Sequence, residues 1–445
     1  MTRFGRRKFL GYAATATGSS VLLNACTPDF SALNQPLDDI AESATPNADQ
    51  AADGAGEITV GLLHSLSGPL AFSEAPLVDA EIFAIEEINA AGGLLGKQLV
   101  PFIEDGASDW PTFAEKAEKL ITQHQTTAIF GGFTTASRKA ILPVMTAKNQ
   151  LLWYPSAYEG QACSQNILYG GAIANQQVEP ALTWMLNNRG KSFFLLSDND
   201  RVTHEIAKSL LKEKGGKVAG EAFVPLENGS AIDMSPVVND IEQALPEGGI
   251  ILNSLVGDQN RVFFQALQSA GLSSDRHLVL SLRIAEEEVF QIGRSFLQGH
   301  YAAWPYFQTI KTPDNEKWVA AFQDRFGFDR VIGSPMVAAY SMVHLWAQAV
   351  QAAETFDTAA VRAAVYEQTF QSPGGPVTMT SNHHVAQKTY VGQVREDGLF
   401  NIMWAASEAI APKPWNPRLS GDTTFLCDWS DPQKGEQYTP EEATS

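Results

Sequence analysis

Gly131-Gly132 followed by Thr134 and Thr135 is a pattern that can hold a small polar molecule without transforming it. The glycines let backbone come close to a ligand. A threonine at a helix start stands among free N–H groups that favour a carbonyl oxygen or an anion. Further on, Tyr154 and Ser156 place a phenol and a hydroxyl where a second apolar run breaks at Pro155. Polar residues end other apolar runs in the same way: Ser65 and Ser67, Asp198 to Arg201 with Asn199 and Asp200 among them, Asp258 after Gly257, and Arg283. In an open α/β sheet, ligands sit outside the carboxyl ends of the strands. Ser67, Thr134, Thr135, Tyr154, Ser156, Asn199, Asp200, Asp258 and Arg283 are therefore the candidate binding set.

None of these residues is an activated nucleophile. The chain has no Gly-x-Ser-x-Gly elbow, no P-loop and no intact dinucleotide fingerprint, so neither an enzyme nor a bound cofactor is expected. His383-His384 invites a metal, but successive side chains on a strand point to opposite faces and no third ligand has suitable spacing. No metal site is expected. Asp198-Asn199-Asp200 lacks the glycine and distal glutamate of a calcium loop. Glu286-Glu287-Glu288 reads as the charged first turn of a helix, favoured by its dipole.

The elements that position these residues alternate strand and helix. Residues 58–63 form a near-continuous apolar run, as a parallel strand covered on both faces requires. The helix after it carries Val78, Ile82, Ile85 and Ile88 on one face and stops at Gly92-Gly93. A strand at 99–103, a helix opened by Asp109 and Pro111, a short strand at 128–130 and another at 151–153 complete a first βαβ series. After Gly170-Gly171 the alternation restarts, with strands at 193–196, 218–224, 250–252 and 278–280. From Trp304 long helices take over, and antiparallel strands at 376–379, 389–394 and 400–404 follow. The expected architecture is α/β, with two doubly wound lobes joined by a hinge of several crossovers. Residues 57–171 with 305–374 make lobe 1, residues 172–304 with 375–411 make lobe 2, and 412–445 form a tail that wraps or frays.

A chain of 445 residues is too long for one average core, which agrees with two lobes. Its net charge of −19 argues against nucleic acid as a partner. Beyond the leader, no apolar run is long enough to span a bilayer. Arg6-Arg7-Lys8-Phe9-Leu10 opens an apolar segment that ends in Leu23-Asn24-Ala25-Cys26. Twin arginines of this kind resemble a Tat-type export signal, and Leu-x-Ala-Cys resembles a lipobox whose Cys26 becomes lipidated. Residues 1–26 are thus expected to be a leader and 27–56 a flexible tether, placing a lipoprotein in the periplasm, anchored to the membrane. With Cys26 acylated, Cys163 and Cys427 remain as an even pair. An oxidising compartment allows them to form a disulfide between tail and body.

Several longer stretches carry a family resemblance. HSLSGPLAFSE, GGFTTASRKAILPV, LLWYPSAYEG with the following CSQNILYGGAIANQQ, AEEEV, GHYAAWPYFQ, and SPGGPVTM with its NHH resemble the urea and short-chain amide branch of type I periplasmic binding proteins. The likeness covers nearly all of residues 57–417 and is nearest to the urea-binding component of cyanobacterial-type ABC importers. It implies the type I periplasmic-binding-protein fold, an ABC permease as partner, and a ligand gripped by Thr135, Tyr154 and Ser156, with Asp258 contributed from the second lobe. Urea offers one acceptor oxygen and two donor amides, so a closing cleft must supply both kinds of partner.

Three departures from the branch bear on the ligand. Asn199 stands where a tyrosine is usual, Arg283-Ile284 where a small or hydroxyl residue is usual, and Val337 where glutamate is usual. An arginine gained and a carboxylate lost would favour a carboxylate-bearing or amino-acid-like ligand, unless Arg283 pairs with Glu286 or Asp258. The expected ligand is therefore urea or a short amide, with a small carboxylate-bearing compound as the alternative. A sensor without transport and an amide hydrolase are further alternatives.

Overall fold

The structure, a computed structural model, describes residues 56–226, 233–420 and 427–430. The leader, Cys26, the tether as far as residue 55 and tail residues 431–445 lie outside the described residues.

Strand β1 (Glu57–His64) is buried from Val60 onward. Helix α1 (Ala71–Ala90) leads to β2 (Gln98–Asp105), and then α2 (Trp110–Thr122) begins at Asp109, whose carboxylate accepts from Thr112 N at 3.0 Å. Next come β3 (Ile129–Gly131), α3 (Thr135–Lys148), β4 (Leu152–Tyr154) and β5 (Ile167–Tyr169). The five strands form one sheet in the order β2-β1-β3-β4-β5, with every pair of neighbours parallel.

The second series runs through α4 (Val178–Asn188), β6 (Ser192–Ser197), α5 (Arg201–Lys214), β7 (Lys217–Phe223), α6 (Ser235–Ala244) and β8 (Gly249–Ser254). It continues with α7 (Asp258–Ser269), β9 (His277–Ser281), α8 (Glu286–Ile292), α9 (Arg294–Leu297) and β10 (Tyr301–Trp304). Helices α10 (Pro313–Phe326), α11 (Ser334–Ala353) and α12 (Thr358–Ala364) follow, then β11 (Thr369–Ser372), β12 (Gly375–Met379) and β13 (Val385–Ala386). Strands β14 (Tyr390–Val394) and β15 (Phe400–Ala405) and the short α13 (Pro417–Ser420) end the described chain elements. The second sheet has the order β15-β14-β10-β9-β8-β6-β7, parallel except where β14 and β15 join. This is the mixed α/β, two-lobed fold expected of a type I periplasmic binding protein.

One expected boundary needs correction. Residues 375–386 do not pass to the second sheet: β11, β12 and β13 form a small antiparallel sheet, and His384 bridges to Tyr169 at the edge of the first sheet. The chain reaches the second sheet only at Tyr390. His383 and His384 are what hold the segment in place. His384 stacks on Tyr169 with ring centroids 4.2 Å apart, and its Nε2 lies 2.6 Å from the Tyr158 hydroxyl. His383 Nδ1 lies 2.9 Å from Ser164 O, so that nitrogen donates. Burial pushes His383 down to about 4 and His384 to about 3, so both rings are neutral packing groups.

Helix α11 returns to the first lobe and covers it. The Trp346 ring meets Phe130 of β3 edge-on at 5.7 Å, and Tyr340 packs against Phe83 of α1. Beyond β15 the chain does not fray at once but runs back over both lobes. Pro414 O accepts from Gln161 N at 2.7 Å, Arg418 pairs with Glu179 of α4, and Cys427 is joined to Cys163 by a disulfide with Cα atoms 5.8 Å apart.

Glu286, Glu287 and Glu288 do open a helix, but they are buried and not a solvated charged turn. Each has backbone to bond. Glu286 accepts from Gln308 N, Glu287 from Gly333 N, and Glu288 from Ala285 N. Burial and the charge of Glu288 push Glu287 up to about 8. A carboxyl whose folded value exceeds its unfolded value of 4.5 is protonated in the fold, and stability is withdrawn as pH rises from there toward 8. Glu287→Gln keeps the acceptor for Gly333. Its melting temperature should gain on the wild type as pH is raised across that window, at most about 1.4 kcal/mol per pH unit. Parallel melting curves from pH 5 to 9 would show that Glu287 is ionised in the fold.

Candidate functional site

The glycine turn after β3 has a steric cause. A side chain on Gly131, whose φ is 146°, would place its Cβ 2.0 Å from Leu63 O of β1. The turn delivers α3, which is opened by a capping box: Thr134 Oγ1 accepts from Ser137 N at 3.0 Å, and Ser137 Oγ accepts from Thr134 N at 3.1 Å. The Thr134 hydroxyl is thus committed to its own helix. Thr135 Oγ1 donates to Glu159 Oε2 at 2.7 Å. Tyr154 is fully buried and donates to Phe133 O at 2.8 Å, and Ser156 is buried beside it.

On the second lobe, Asp200 caps α5 by accepting from Thr203 N at 2.8 Å, while Asn199 is exposed. Burial, with the charge of Glu159 next in weight, pushes Asp200 up to about 7. Burial also raises Asp198, and Arg283 pulls it the other way. Burial lifts Tyr154 to about 12 against the charges of Arg138 and Arg283. Glu159 and Arg283 are each near enough for their charge to be felt at Tyr154, Asp198 and Asp200. Tyr154, Asp200 and Arg283 are thus electrostatic neighbours, with no hydrogen bond or ion pair between them among the described residues.

Ser67 and Asp258 sit apart from these neighbours. Ser67 Oγ donates to Asp105 at 2.6 Å, and the Asp258 carboxylate is held by Arg261 at 2.9 Å. What Asp258 contributes is backbone contact between lobes: its N–H donates to Pro69 O at 3.1 Å. Arg283 pairs with neither Glu286 nor Asp258. Its Nη1 is buried with no hydrogen-bond partner.

Sequence reading passed over Glu159 and Arg138. Glu159 lies inside the YEG of the motif that supplied Tyr154 and Ser156. Arg138 stands three residues after Thr135, one helical turn on, in a position where a solvated charge would be the ordinary expectation. It is instead 3% exposed, with its guanidinium 4.1 Å from the Tyr158 ring centroid and 5.1 Å from that of Tyr154. A groove of about 770 Å³ between Asn175, Glu179, Ser209 and the returning tail contains none of the candidate binding residues. Among the described residues no group of acidic, histidine or cysteine side chains could hold a metal ion, and no helix is long and apolar enough to cross a membrane.

Two doubly wound lobes, each with polar side chains at its strand ends, are the frame in which these residues sit. The chain belongs to the periplasmic binding protein domain family, whose match spans residues 58–421. Leu/Ile/Val-binding protein homolog 7 of Brucella suis is 22% identical over 387 residues, 81% of this chain and 94% of that protein. A limonene hydroxylase of Geobacillus stearothermophilus is 34% identical over 123 residues, and the match spans 28% of this chain and only 23% of that protein's length. The fold is shared with an ABC transporter solute binding protein of Rhodopseudomonas palustris HaA2 in complex with p-hydroxybenzoic acid (TM-score 0.71, 20% identity, 81% of this chain and 98% of that one). It is also shared with the branched-chain amino acid transporter substrate binding protein LivJ of Streptococcus pneumoniae in complex with isoleucine (TM-score 0.67, 18% identity, 80% and 100%).

Proposed function

We propose that the protein is an extracytoplasmic solute-binding protein of an ABC importer, holding a small polar nitrogen compound of the urea or short-amide class between its lobes. The observation that carries this reading is that electrostatic neighbourhood. The charges of Glu159 and Arg283 are felt at Tyr154, Asp198 and Asp200, which lie at strand ends of the two lobes. Carboxylates accept from amide N–H groups, and Arg283 Nη1 has a proton to give to a carbonyl oxygen. Lobe closure over the ligand is the signal a permease would read. Anchoring through Cys26 after Tat-type export fits the same role.

A thermal-shift screen against urea, formamide, acetamide, guanidinium and small amino acids tests the reading. A ligand at about a hundred times its Kd should add roughly 2.7 kcal/mol. No shift with any of them, or release of ammonia from urea or acetamide that Thr135→Ala abolishes, would count against it.

A further inference from the structure

We propose a second ligand site on the second lobe, independent of the candidate binding set: a groove between α4, α5 and the returning chain that binds an uncharged chain of sugar rings. The groove has two adjoining parts, of about 770 and 460 Å³, and Asn175, Glu179 and Arg418 line both. Each volume lies in the range of small-molecule pockets, about 300–1,000 Å³. No residue of the candidate binding set lines either part.

One face of α4 lines the smaller part. Pro180, Thr183, Trp184, Asn187 and Asn188 recur there at helical spacing. Trp184 is braced by its neighbours: its ring lies 5.6 Å from that of Tyr301, and the Arg189 guanidinium lies 5.1 Å from it. Arg189 Nε in turn donates to the Tyr301 hydroxyl at 2.6 Å. Trp404 of β15 lines the same space. Its pairing with Val391 follows a bulge at Met403, and bulges re-aim the side chains beside them. Both indoles are partly exposed.

The opposite wall is the returning chain, and it is firmly tied. Asn175 donates to Ala411 O and accepts from Lys413 N, both at 2.9 Å. Glu179 accepts from Asn416 at 2.7 Å and from Arg418 at 3.0 Å, and Arg418 also reaches Glu213 of α5. Uncharged groups are left open: the side chains of Thr183, Asn187 and Ser209 make no hydrogen bond among the described residues. A sugar ring has C–H faces and hydroxyl edges. The indoles suit the faces, and hydroxyls and amides suit the edges because they both donate and accept. An anion is disfavoured, because the chain carries a net charge of −19 and the arginine lining both parts is spent on two carboxylates. A wholly apolar ligand would strand the open polar groups. A chain of several rings can use both indoles where a single ring cannot.

The test titrates the full chain by calorimetry with glucose, maltotriose, cellotriose and triacetylchitotriose. At least one trisaccharide should bind, about tenfold more tightly than glucose, since an aromatic contact contributes on that order. Trp184→Ala and Trp404→Ala should each return its affinity toward that of glucose, while near-ultraviolet circular dichroism keeps the signal of the remaining tryptophans. Asn187 is exposed, so Asn187→Ala leaves the packing alone and should still weaken the trisaccharide severalfold. That variant decides if the tryptophan variants fail to fold. Binding of none of the three trisaccharides, or wild-type affinity in both Trp404→Ala and Asn187→Ala, overturns the inference. Neither outcome touches the transport reading, which rests on the cleft residues.

Discussion

Replacing both Cys163 and Cys427 with serine is expected to destabilise the protein by about 2–5 kcal/mol, as loss of a native disulfide commonly does. The bond closes a loop with a sequence separation of 264 residues, so its removal releases a large unfolded-state constraint. It also frees the segment that lays out the site. Between Tyr154 and Cys163 lie Ser156, Tyr158 and Glu159, and Gln161 is held to the returning tail through Pro414 O. Ligand affinity should therefore fall along with stability. Thermal unfolding, with and without a reductant, checks this. The reductant should bring the wild type to the midpoint of the double variant and leave the variant unmoved. Equal midpoints for oxidised wild type and double variant would mean that the tail is held by its other contacts, among them Trp429 N to Ser381 O at 2.7 Å.

Gly171→Ala should damage the site from behind. A Cβ at this position would lie 2.0 Å from both C and O of Ser156 and 2.2 Å from Ala157 N. The atoms in the way are backbone and cannot rotate aside, so the loop carrying Ser156 must shift bodily. The same crossover is sewn to that loop by Tyr158 N donating to Ala172 O at 3.1 Å and Gly170 N donating to Tyr154 O at 2.8 Å. Overpacking of this kind costs roughly 1–3 kcal/mol, and the added methyl is expected to weaken ligand binding beyond what the stability loss alone would do. Gly190→Ala is the control, since its nearest neighbour is Ile250 Cδ1 at an ordinary 3.8 Å. Ligand-dependent melting shifts that are the same in Gly171→Ala and Gly190→Ala would rule out a role for this approach in shaping the cleft.

The alternation of strands and helices was readable because buried parallel strands need apolar runs and glycine turns need their glycines. Residues 58–63 and Gly131 show both. The site was readable as a place more than as a set of contacts. Strand ends are visible in a sequence, but the partner that a hydroxyl chooses is not. Thr134 spends its oxygen on Ser137, and Tyr154 spends its proton on Phe133 O. Arg138 was passed over and Glu286–288 misjudged for one shared reason. Charge in a sequence argues for solvent, and only the packing of distant segments can bury it, here Tyr169 for the first and residues 305–333 for the second. The crossing at 374 was set too early because β12 reads the same whether it joins a large sheet or a small one.

The way α11 covers the first sheet has a bearing on synthesis. All five strands of that sheet have left the ribosome by Tyr169, but the helix that shields Phe130 lies at Ser334–Ala353, beyond the whole second parallel series. For that interval a nascent first lobe carries an uncovered apolar face, a surface that holding chaperones recognise. A fragment ending near residue 170 should for the same reason be insoluble. The amino-terminal lobe of this chain is the first to be made and among the last to be finished.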